Sequence, residues 1–196
     1  MKNLRVIIIA IACICVICGG FYLFSQGLNS GGEGDLTEVE KVITKDLKNN
    51  YPKTPREVVK FYNRILNCYY SREITDDQLE DLVDQMRSLF DEDLLVVNSR
   101  AEYLASVKSD VQLYKKQKKY IVETTVCDSN EVRYITDKKE GETEGDKLAY
   151  VSTSYFIKTD GQFSKTYQDI VLREDADGRW KLIAFYEVEG EKEDNE

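Results

Sequence analysis

The sequence predicts an α+β protein: an N-terminal transmembrane helix, then one domain in which helices lie on an antiparallel sheet. Three observations carry this. Residues 6–24 (VIIIAIACICVICGGFYLF) form an apolar run without a charge. Up to Tyr114, apolar side chains then recur at helical spacing behind readable helix starts. Beyond Tyr120 the period changes from 3.6 to 2, and two Asp-Gly pairs punctuate the alternating stretches. Helices first and a meander of strands afterwards is the order of α+β domains, with the helices gathered on one sheet face.

The apolar run is long enough to span a bilayer. Its 19 residues make roughly 28 Å of helix, against a hydrocarbon core of ~30 Å. It lacks the polar face that a helix packed in a globular core shows. A cleaved signal peptide has a shorter apolar core and a small-x-small cleavage site. Here the run continues into Phe21-Tyr22-Leu23-Phe24, and only Ser25-Gln26-Gly27 follows as a poor site. A lipoprotein signal is also poorly matched, because Ile17 precedes Cys18 and Cys13 comes too early. An uncleaved anchor is the expectation. Lys2 and Arg5 precede the run and the first charge after it is Glu33, so the positive-inside rule leaves residues 1–5 in the cytoplasm and the rest outside. The expected location is the plasma membrane, crossed once.

The exported part holds all 36 acidic side chains but 25 of the 27 basic ones, a formal −11. That disfavours nucleic acid, whose binding draws on Lys and Arg against phosphates. Cys13, Cys15 and Cys18 fall in the span, leaving Cys68 and Cys127 outside. An oxidising exterior permits a disulfide between them. One is expected on a helix and the other on a strand, so contact is not assured and buried free thiols are the default, with the disulfide as the alternative.

Residues 25–35 (SQGLNSGGEGD) read as a flexible linker with an r.m.s. span of roughly 18 Å. The domain is expected over residues 36–188, and residues 189–196 read as an acidic disordered tail. Thr37 with Glu40 predicts a capping box and a helix to about Asn49. Thr54 with Glu57 predicts a second, with Pro55 at the favoured first position and a core face of Val58, Tyr62, Ile65, Leu66 and Tyr69. Thr75 with Gln78 opens a third, whose stripe Leu79, Leu82, Val83, Met86, Leu89, Phe90 is the cleanest in the chain. After a short apolar piece at 94–97, Ser99 with Glu102 begins a fourth, with Leu104, Val107, Val111 and Tyr114 turned inward.

Four strands are expected. Tyr120, Val122, Thr124 and Val126 alternate along the first, and a charged loop follows over residues 137–146. Residues 148–159 and 163–173 form a hairpin joined at Asp160-Gly161. Asp177-Gly178 leads into residues 180–188, where Trp180, Leu182, Ala184 and Tyr186 share one face.

Helices followed by long antiparallel strands, closing on Gly178-Arg179-Trp180-Lys181-Leu182-Ile183, resemble the nuclear-transport-factor-2-like (cystatin-like) fold. The resemblance implies a curved sheet wrapped around helices into a cone with a pocket at its mouth. Pro55 with Glu57, the run Met86-Arg87-Ser88-Leu89-Phe90-Asp91 into Leu94-Leu95, and Asn98 also look like an uncharacterised bacterial family with a single N-terminal anchor and an exported domain. The likeness covers about residues 36–188 and implies little about function, because this fold hosts enzymes, binders and scaffolds alike.

Catalytic signatures are sparse. The chain has no histidine, which excludes Ser-His-Asp and Cys-His catalysis and removes the commonest zinc ligand. No paired cysteine motif, phosphate loop or dinucleotide fingerprint occurs, so neither metal nor cofactor is expected. Residues 173–178 (REDADG) suggest a calcium loop only superficially, since Arg173 and Ala184 would occupy its first and last ligand positions. An acid–base pocket would pair a carboxylate with a tyrosine. Tyr62, Tyr155, Tyr167, Asp169 and Trp180 are the candidate pocket-lining residues. The expected function is a non-enzymatic, membrane-anchored extracytoplasmic module that binds a protein or cell-envelope partner. The alternative is a small-ligand-binding or isomerase-like pocket.

Overall fold

The computed structural model describes residues 36–70, 74–138 and 145–189. The expected membrane span at 6–24, the linker at 25–35 and the tail from residue 190 lie outside them. The chain divides after Thr37 into two units, and every element below belongs to the second. Among the described residues no helix is long and apolar enough to cross a membrane.

The helices are α1 (Glu38–Ile43), α2 (Pro55–Tyr69), α3 (Asp76–Arg87), α4 (Glu92–Val97) and α5 (Arg100–Lys116). The strands are β1 (Lys119–Val126), β2 (Arg133–Asp137), β3 (Asp146–Thr159), β4 (Gln162–Glu174) and β5 (Trp180–Val188). Helix α2 begins where its motif predicts: Thr54 accepts from the Glu57 N–H while the Glu57 side chain reaches back to the cap. Thr75 and Gln78 do the same for α3. Each box satisfies backbone donors that a helix start leaves orphaned. Helix α1 ends at Ile43, short of Asn49. The Asp46 carboxylate accepts from the N–H groups of Lys48 and Asn49 at 3.0 Å, and that local turn competes with helix continuation.

All strand pairings are antiparallel. The order is β1-β3-β4-β5, and β2 also pairs with β3. The β3–β4 hairpin turns on Asp160 (φ 46°) and Gly161 (φ 91°), two successive positive φ values of the kind a two-residue loop requires. Helix α2 lies on the sheet against β3, β1 and β5, and α3 stacks on α1, α2 and α5. Between the layers sit Val58, Ile65, Leu82, Met86, Ile170 and Leu172, each fully enclosed.

Two bulges redirect side chains that strict alternation would place otherwise. In β1 the register shifts between Ile121 and Glu123, so Val122 is 48% exposed. In β5, Val171 pairs with Ala184 but Leu172 pairs with Leu182, which leaves Ile183 as an extra residue. One inserted residue exchanges the two faces beyond it. Trp180 and Leu182 therefore point inward with Phe185, not with Ala184 and Tyr186. Beside β5, Leu89–Asp91 adds a short parallel pairing: the Leu182 N–H donates to the Leu89 carbonyl (2.8 Å) and the Asp91 N–H to the Leu182 carbonyl (2.9 Å). This covers part of an edge that would otherwise invite pairing with another chain.

Cys68 and Cys127 are free thiols, the default reading, and the possible disulfide between them is not formed. The Cys127 carbonyl accepts from Arg56 Nε at 2.6 Å, at the first turn of α2. Cys68 lies twelve residues further along the same helix, about 18 Å at 1.5 Å per residue. A disulfide needs Cα atoms within about 7 Å. Burial pushes the Cys68 thiol up to about 11.

Candidate aromatic binding cavity

A cavity of about 900 Å³ opens between the inner face of the sheet and helices α2, α4 and α5. Helix α2 and its C-cap contribute Tyr62, Leu66, Tyr69 and Tyr70, spaced as one helical face. Helix α5 brings Tyr103, Val107, Asp110 and Tyr114, again one face. Opposite them stand Ile121, Tyr155 and Ile157 from β1 and β3, and Leu182 and Phe185 from either side of the β5 bulge. At the lip Val97 is 72% exposed and Phe185 56%.

Six tyrosines line this space, and hydrogen bonds and stacking fix several of them. The Tyr155 hydroxyl donates to Asn63 Oδ1 (2.9 Å), Asn63 Nδ2 donates to Thr153 Oγ1 (2.9 Å), and Thr153 Oγ1 donates to the Thr125 carbonyl (2.9 Å). The Tyr69 hydroxyl donates to the Leu82 carbonyl at 3.4 Å and also bonds to Tyr103. Tyr70 and Tyr114 stack with centroids 3.9 Å apart. Asn63 is buried, and Asn63→Leu removes the acceptor of the Tyr155 hydroxyl. It is expected to lower stability by about 1–3 kcal/mol in urea unfolding; an unchanged midpoint would show that the network contributes nothing.

Burial raises the phenols of Tyr62, Tyr69, Tyr70 and Tyr155 well above the ordinary value, and that of Tyr103 to about 12. At neutral pH they are hydrogen-bonding groups, not bases. A group that holds its proton more tightly when folded stabilises the chain fully below its unfolded pKa and loses that contribution as pH rises through its folded pKa. Without histidine, stability is expected to stay flat from about pH 6 to 8 and to fall steeply above about pH 10, where unfolded tyrosine ionises. Urea midpoints across that range measure it, and a plateau extending to about pH 12 would contradict it.

The structure brings Tyr62 and Tyr155 together in the cavity, but not the other three candidates. Along β4 the inward residues are Thr166 and Gln168, so Tyr167 and Asp169 take the opposite face. There Asp169 accepts from Ser152 Oγ at 2.6 Å and pairs with Arg133 at 3.4 Å. Trp180 is buried in the core, edge-to-face with Tyr134 at 5.7 Å, and its carbonyl accepts from the Tyr51 hydroxyl. Sequence reasoning missed Tyr103, whose spacing to Val107 and Tyr114 marks one helical face, and Gln168, which no signal singles out.

The cavity carboxylates, Glu102 and Asp110, are exposed. Asp91 is the buried carboxylate among the described residues. It is committed to Arg173 and lines a separate, charged cavity of about 690 Å³ beside α4. Among the described residues no three His, Cys, Asp or Glu side chains are grouped to hold a metal ion.

No curated protein matches this chain. Residues 1–185 match a family model described as a domain of unknown function (DUF6715), and the chain belongs to that family.

Proposed function

We propose that the chain is a non-enzymatic, membrane-anchored extracytoplasmic binding module with a nuclear-transport-factor-2-like arrangement, taking its ligand into the aromatic cavity. The carrying observation is the cavity of about 900 Å³, lined chiefly by apolar and tyrosyl side chains with Glu102, Asp110 and Gln168 among them, under an apolar lip. Enclosure by apolar walls with a few placed polar groups is the usual form of a small-ligand site. The helices-on-sheet layout supports the fold assignment. The anchor rests on the apolar run at 6–24 and its flanking charges, and the family match takes in that run together with the domain. Buried neutral phenols, with the nearby carboxylates in water, favour binding over acid–base chemistry.

Two measurements test this reading. Protease added to intact cells should remove the domain and leave the membrane segment; protection places the domain in the cytosol. Ser106→Trp, which projects into the cavity from an exposed position on α5, should abolish uptake of small aromatic compounds while circular dichroism shows the fold intact. Undiminished uptake would move the binding site elsewhere.

A second reading has its own observation. On the outer sheet face Phe156 and Phe163 stack at 5.1 Å, both exposed, with Lys158 over Phe163. A protein or envelope partner docking there would lose affinity on Phe163→Ser and be indifferent to Ser106→Trp.

A further inference from the structure

We infer that the aromatic cavity selects an organic cation: a protonated amine carried on an apolar or aromatic body. This rests on the cavity being a ligand site. Three observations set the charge and the head group.

First, the described residues lining the cavity include two carboxylates, Glu102 and Asp110, and no lysine or arginine. Cations stand behind that lining, the Arg87 charge being felt at Tyr103, but each has a partner of its own. Arg87 donates to the Asn98 carbonyl and lines the charged cavity. Lys115 and Lys119 line a separate cleft beside the Tyr70–Tyr114 pair, with Lys119 Nζ 4.5 Å from the Tyr114 ring centre. Among the described lining residues an anionic ligand would meet carboxylates and no cation, and like charge at short range opposes binding.

Second, the walls carry six tyrosine rings. The negative face of an aromatic ring attracts ammonium groups, most strongly away from water. Neutral phenols add hydroxyl oxygens as further acceptors.

Third, Gln168 Oε1 is buried among the residues lining the cavity and accepts no hydrogen bond. A buried acceptor without a donor is unfavourable. Rotation of the Gln168 side chain toward the cavity would offer that oxygen to an ammonium N–H, whereas a carboxylate or sulfonate head would bring a second acceptor against it.

The test uses the full chain in lipid nanodiscs, with empty nanodiscs as reference. The probes are phenethylammonium, phenethyl alcohol and 3-phenylpropionate, one phenyl body with a positive, neutral or negative head. Ligand-observed NMR titration is expected to show the ammonium binding at least about tenfold more tightly than the carboxylate, with the alcohol between them. The double variant Glu102→Gln/Asp110→Asn should bring the ammonium to within about threefold of the alcohol and leave the alcohol unchanged. Asp76→Asn/Asp77→Asn, which removes the same charge from exposed sites on α3, should preserve the preference. Gln168→Leu should weaken ammonium and alcohol alike. Equal binding of ammonium and carboxylate, or a preference lost equally in both double variants, overturns the charge selectivity while leaving the cavity as a site. Failure of all three probes to bind overturns the cavity reading itself.

Discussion

Arg173→Ala is expected to destabilise the domain by about 3 kcal/mol, the lower end of the range for a broken buried ion pair, because Arg173 itself remains a quarter exposed. Asp91 is 5% exposed and serves two structures at once. Its carboxylate accepts from the Asp93 N–H as the N-cap of α4 and from the Arg173 guanidinium on β4. Arg173 further binds Asp93 at 2.6 Å and Asp146 at 3.3 Å, tying the α4 start to the mouth of the β2–β3 loop. Alanine leaves the Asp91 carboxylate without its guanidinium partner. Adding Asp91→Asn to the variant removes that charge, keeps the cap, and should recover at least half of the loss. Urea unfolding of the single and double variants completes the cycle. A loss under about 1 kcal/mol, or no recovery, would mean that the cluster acts as a surface ion pair.

Trp180→Ala should cost about 3–5 kcal/mol through the cavity it leaves. Trp180 is the chain's one tryptophan, buried, with Tyr134 against its ring edge and Leu182 two residues on in the same inner layer. Because Trp180 stands outside the aromatic cavity, the variant should lose stability without altering the relative affinities of the three phenyl probes. Circular dichroism in urea gives the first quantity and the titration the second. A loss below about 1 kcal/mol would mean that the inner face of β5 has been assigned wrongly.

Helix starts were legible because a capping box needs only residues three apart. Thr54 with Glu57 and Thr75 with Gln78 make in the structure the bonds their spacing predicts. Ser99 likewise accepts from the Glu102 N–H. The hairpin at Asp160-Gly161 was legible for the same reason, since its backbone angles depend on those two residues. Strand β2 was not. Its five residues are exposed throughout and show no burial alternation for a period to reveal. The bulges in β1 and β5 were equally hidden, because an inserted residue is defined by its neighbour strand and not by its own chemistry. That is why alternation in the sequence turns Val122 and Tyr186 inward whereas the structure does not.

The candidate site divides the same way. Tyr62 could be read as inward from helical spacing, whether as core or as lining. Tyr167 and Asp169 sit one residue from the inward Thr166 and Gln168. In a strand that single step is the difference between the two faces. Alternation alone does not say which set faces the helices when neither is wholly apolar.

What the sequence by itself determined is therefore local or additive: helix caps, tight turns, the acidic balance, the absence of histidine and the apolar run at 6–24, each set by residues close in the chain or by a sum over it. Tertiary structure alone decided which tyrosines converge, that Cys68 and Cys127 stand too far apart to bond, that Asp91 meets Arg173, and that a charged lysine cluster ends outside the cavity. Those facts depend on distances between segments far apart in the chain, and such distances are set by packing the helices onto the twisted sheet.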